Sequence, residues 1–132
     1  TVEAARTMVD RINRPNVGLL LDPGNMYITD TDYTEKAIET LYDRIYHVHV
    51  KDELRVPHGN LPRTFRDTTV HGEEFFQHTL LGEGGCDHLP AFRQLKKMGY
   101  KGYLSSECHA MANDVETADH EVKAIRDLIN KA

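Results

Sequence analysis

Three short apolar, β-prone runs, residues 17–21, 45–50 and 103–106, each follow a segment whose apolar residues recur at helical spacing. Strands that alternate with helices pair in parallel, because the helix carries the chain back to the end at which the previous strand began. The helical segments expected are residues 1–13, about 34–43, about 87–98 and 115–131, the last with a stripe of Val115, Ala118, Val122, Ile125 and Ile129. Asn113 and Asp114 can accept hydrogen bonds from the free amides that open the last helix, and Gly99 suits a left-handed stop after Lys96, Lys97 and Met98. The fully apolar Val-Gly-Leu-Leu-Leu run predicts a strand covered on both faces. The fold class is therefore α/β with a parallel sheet and outer helices.

Residues 53–85 fit neither period well and read as a long loop, holding Pro57, Gly59, Pro62 and Gly72 among several Arg and His residues. The Gly82-Glu83-Gly84-Gly85 tract lacks a preceding strand and a completing lysine, so it reads as a flexible turn and not as a phosphate loop.

Charge and composition narrow the function classes. The formal charge of −5 over 132 residues argues against nucleic acid as a partner, and no apolar stretch approaches the roughly 20 residues of a membrane span. Two cysteines, Cys86 and Cys108, are too few for a disulfide scaffold, and no secretory leader opens the chain, so a reducing cytoplasm is the expected location. The chain starts at Thr1 with Val2, Ala5, Val9 and Ile12 on one helical face and no upstream cap, so it reads as a portion of a longer protein.

Each of the three strands ends in a group able to bind a metal. The first runs into Asp22, the second contains His49 and continues to Lys51 and Asp52, and the third runs into Glu107. In parallel α/β architectures the carboxyl ends of the strands form the rim on which sites are built. Two carboxylates and an imidazole suit Mn, Mg, Co or Zn better than soft copper. Alternation along the second strand places His47 and His49 on one face, opposite Val48 and Val50. Asp-Pro-Gly-Asn is also good turn chemistry, so a competing reading of Asp22 is a turn residue alone. Glu107 ends an apolar strand, where a carboxylate removed from water needs a partner.

Leu-Leu-Leu-Asp-Pro-Gly-Asn (19–25), His-Val-His-Val-Lys-Asp (47–52), Leu-Gly-Glu-Gly (81–84) and Gly-Tyr-Leu-Ser-Ser-Glu (102–107) occur in the order seen in xylose isomerase-like TIM barrels, which this chain resembles over residues 15–107. That family includes sugar and sugar-phosphate isomerases and epimerases, with inosose dehydratase and endonuclease IV as relatives. The resemblance implies a partial (β/α)8 barrel over residues 1–132, its C-terminal half, within a single domain. It also implies that Asp22, His49 and Glu107 bind a divalent cation, that Glu107 moves a proton, and that His47, Asn25, Lys51 and Arg55 contact substrate.

Two departures qualify it. Asn25 stands where many members carry a histidine, and an amide cannot transfer a proton. The family barrel has about 250 residues and eight strands, so its second proton-transfer glutamate is expected upstream of Thr1. The activity implied is isomerisation or epimerisation of a sugar or sugar phosphate through an enediolate, with dehydration on the same fold as the alternative. A non-catalytic half barrel, completed as a homo-oligomer or binding carbohydrate, is the reading from another class, since it would cover exposed sheet edges.

Overall fold

A computed structural model describes residues 1–109, 111 and 113–132. The elements run α1 (Val2–Ile12), β1 (Leu19–Leu21), α2 (Pro23–Ile28), α3 (Glu35–Leu41), a 3-10 turn (Tyr42–Arg44), β2 (Ile45–Val50), β3 (Asp52–Val56), β4 (Thr64–Thr69), β5 (Gly72–Thr79), α4 (Leu89–Lys97), β6 (Leu104–Ser106) and α5 (Asp114–Lys131).

The three apolar runs form one parallel sheet in the order β1-β2-β6. Leu21 pairs with Val48, and Val50 with Ser106, so the three strands end at a common edge. Val48 and Val50 are fully buried beneath α3, α4 and α5, in a core that includes Leu21, Ile38, Leu41, Phe92, Leu95 and Ile125. The opposite face carries Leu20, His47 and His49. Leu20 pairs with His47 and is half exposed, which corrects the expectation that β1 is covered on both sides. The sheet is a partial barrel wall and does not close on itself.

The caps explain where the helices begin and stop. Thr1 caps α1, its Oγ1 accepting from Ala4 N at 3.2 Å. Asn113 Oδ1 accepts from Val115 and Glu116 N at the start of α5. Gly99 takes φ 79° after α4, the left-handed conformation that a residue with a Cβ resists.

Three parts of the fold depart from the sequence expectation. The expected long loop is largely a second, antiparallel sheet in the order β3-β5-β4, seated directly after β2. Its strands are rich in Glu, Arg, Thr and His, yet Phe76 is fully buried, with Phe65 stacked at 5.7 Å and Tyr27 edge-on at 6.3 Å. The Asp-Pro-Gly-Asn segment opens the short helix α2, with proline at its first turn where no amide is needed. Along α5 the expected stripe faces outward except at Ile125; the buried side is Thr117, Glu121 and Ile125. Among the described residues no helix is long and apolar enough to cross a membrane.

Candidate metal centre

The common strand edge brings three predicted ligands together. One ligand atom each from Asp22, His49 and Glu107 lies within 4.8 Å of the others. Asp22 follows β1 and is buried; His49 stands on the inner face of β2; Glu107 follows β6, its amide donating to Val50 O at 3.0 Å. His49 Nδ1 is 3.4 Å from Glu107 Oε1.

Asp22 does two jobs. Its Oδ1 accepts from Asn25 N at 2.9 Å and caps α2, a helix start in place of the expected turn. Its Oδ2 accepts from Asn25 Nδ2 at 2.7 Å and lies 3.2 Å from Lys51 Nζ. Lys51 also donates to Glu107 Oε2 at 2.5 Å, so one ammonium bridges both carboxylates. That hydrogen bond, more than any other influence, holds the Glu107 carboxyl below its ordinary pKa. Burial works to lower Lys51, but Glu107 and Asp22 outweigh it and leave the ammonium above its ordinary value. The Glu107 side chain is 47% exposed, neither fully solvated nor fully buried; its partners are Lys51 and His49 on one side and solvent on the other.

His47 Nε2 is 2.9 Å from Ser105 Oγ, and its ring stands edge-on to His49 at 5.4 Å. Arg55, expected to contact substrate, is engaged by protein groups. Its guanidinium pairs with Asp30 at 2.8 Å and Glu74 at 3.3 Å and lies over the rings of Phe76 and Tyr27, which makes it a clamp between α2 and the antiparallel sheet. Two acids and two aromatic faces within reach of one cation account for this placement.

Several buried polar groups that support the site were not singled out from sequence. Asp52, at the start of β3, accepts from the amides of Gly82, Gly84 and Cys86 at 2.9–3.0 Å. The glycine-rich tract is thus a fastened loop and not a flexible turn. A side chain at Gly84 would strike the Asp52 carboxylate. Glu121 on α5 is buried, accepting from Leu81 N at 2.9 Å and Ser106 Oγ at 3.1 Å, and so ties this loop to the end of β6. His88 Nε2 is 2.8 Å from the Lys51 carbonyl oxygen, and burial holds its imidazole below the ordinary pKa. Glu53 is buried, with Oε2 unpartnered among the described residues and Oε1 3.7 Å from His78 Nδ1; burial raises its pKa to about 7. The signal available for Asp52 was an acid at a strand start together with three closely spaced amides in a glycine-rich tract.

The donor set of two carboxylates and one imidazole fits a hard or borderline divalent ion. A cation of another kind, the Lys51 ammonium, already lies between the two carboxylates. The profile of the xylose isomerase-like TIM barrels matches residues 1–128. The chain belongs to that family.

The chain is also similar to several individual proteins. Inosose dehydratase from Bacillus velezensis is 31% identical over 124 residues, covering 89% of this chain and 40% of the relative. A xylose isomerase domain protein from Planctomyces limnophilus has the same fold, with TM-score 0.70 and 22% identity over 98% of this chain and 43% of the other. A D-allulose 3-epimerase from Methylomonas sp. superposes with TM-score 0.66 at 21% identity, over 100% of this chain and 43% of the other. The chain therefore spans about two fifths of the length of these proteins.

Proposed function

We propose that this chain forms the C-terminal part of a divalent-metal-dependent sugar or sugar-phosphate isomerase or epimerase. The observation that carries the reading is the meeting of Asp22, His49 and Glu107 at the carboxyl ends of three parallel strands. Asp22, His49 and Glu107 hold the cation, which when bound supplies a Lewis acid for the charge that develops on a substrate oxygen.

The chain's own groups divide the remaining work. Glu107 reaches out of the sheet edge as a carboxylate beside cationic neighbours, which favour the ionised form a general base requires. It takes the proton next to the substrate carbonyl. His47, Asn25 and Lys51 surround the cluster and supply hydrogen bonds to substrate hydroxyls, while Arg55 ties α2 to the antiparallel sheet. The second carboxylate needed to return the proton from the opposite face belongs to the part of the barrel that this chain does not span.

The test is exchange of the α-proton of a ketose with solvent deuterium, followed by NMR. The full-length protein with Mn2+ is expected to catalyse it, and E107Q to abolish it. A second reading, dehydration of a cyclic polyol ketone such as an inosose, is favoured by the 31% identity to an inosose dehydratase. It begins with the same proton removal and then expels a β-hydroxyl, so an unsaturated product replaces an epimer in the same NMR assay.

A further inference from the structure

Lys51 holds a position that the metal reading leaves unexplained. Its Nζ lies 2.5 Å from Glu107 Oε2 and 3.2 Å from Asp22 Oδ2, between the two carboxylates that would grip a divalent ion. An ammonium and a divalent cation repel strongly at such range in a partly buried site, and both compete for the same oxygens. Lys51 itself is only 14% exposed along its side chain, so the arrangement is packed and not a loose surface pair.

The surroundings hold the main chain and seat the stem. The Lys51 carbonyl oxygen is fixed by His88 Nε2 at 2.8 Å. The stem passes Gly24, where a Cβ would come within 2.6 Å of Lys51 Cγ. Glycine at position 24 is therefore what lets the four-carbon stem lie against α2 and its ammonium reach the two carboxylates.

We propose that Lys51 is a built-in counter-ion of the metal-free site. It keeps Asp22 and Glu107 together when no divalent cation is bound and withdraws from between them when one binds, so that metal affinity is set by competition with its ammonium. This rests on the metal-centre reading above.

The test is calorimetric titration of Mn2+ into the full-length protein, wild type and K51M, with K51Q as a second variant that keeps a polar tip. Both variants are expected to bind Mn2+ at least tenfold more tightly than wild type. Their metal-free melting temperatures should fall, while the rise in melting temperature on adding Mn2+ should grow. Equal or weaker Mn2+ binding by folded variants, with wild type binding normally, overturns the counter-ion role and leaves the metal centre standing. No Mn2+ binding by wild type overturns both. Should both variants fold only when Mn2+ is present, the counter-ion role is supported; failure to fold with or without Mn2+ contradicts it.

Discussion

Asp52 Oδ2 accepts hydrogen bonds from Gly82 N at 2.9 Å and from Gly84 N at 3.0 Å, while its other oxygen takes the Cys86 amide at 3.0 Å. One buried carboxylate therefore fixes a loop of five residues beside the strand that bears His49. Hydrogen bonds to a charged acceptor are among the stronger ones, and amides stripped of that acceptor are left to find water. D52A is expected to lower unfolding free energy by about 3 kcal/mol, read from urea denaturation. Limited proteolysis should at the same time open a new cleavage site near Glu83, which wild type resists.

E107Q removes the group assigned to proton transfer while keeping its size. Because the side chain is 47% exposed, the fold should tolerate the change, with an unaltered circular dichroism spectrum. Solvent exchange of the substrate α-proton should fall by roughly 10²- to 10⁴-fold, the usual worth of a positioned acid or base. A variant that exchanges as fast as wild type removes Glu107 from the chemistry.

Arg55 joins two parts of the chain through Asp30, Glu74 and two aromatic faces. Its pairs are partly solvated, so R55A should cost only about 1 kcal/mol of stability. A clamp that merely seats the antiparallel sheet predicts a lower melting temperature with little change in KM. A large rise in KM at unchanged melting temperature would return Arg55 to the substrate contacts.

Glu53 and His78 give the fold a compensated response to pH. Burial raises Glu53 from 4.5 to about 7, so the folded state binds more protons than the unfolded one across that window; its stabilising contribution is complete below 4.5 and disappears as pH rises through 7. Burial and the nearby His109 lower His78 from 6.5 to about 4, so its contribution is present above 6.5 and disappears as pH falls through 4. Between 4.5 and 6.5 the two slopes oppose each other. E53Q should therefore gain stability steadily as pH is raised through that interval, where wild type stays nearly flat. Chemical denaturation at several pH values checks this, and parallel profiles for the two proteins would contradict it.

Much of the parallel sheet could be read from the chain because apolar runs such as Ile45–Val50 need cover, and alternation separated His47 and His49 from Val48 and Val50. The convergence of Asp22, His49 and Glu107 followed from the strands sharing one direction. The antiparallel sheet was hidden because β4 and β5 carry charges on most of their faces and bury one ring, Phe76, completely. The buried side of α5 is not legible from periodicity, since Glu121 is inside, satisfied by Leu81 N and Ser106 Oγ, while the more apolar Val115 and Val122 face outward. Periodicity weighs residue types, and it has no means of seeing a long-range hydrogen bond that makes a carboxylate an interior residue.

The central claim is that Asp22, His49 and Glu107 grip one divalent ion. Anomalous diffraction at the manganese edge, from crystals of the full-length protein grown with Mn2+, tests it most directly. The account predicts a single strong peak in coordination contact with all three side chains. A peak at other residues, or a well-ordered site in which these three side chains bind no metal, would contradict it.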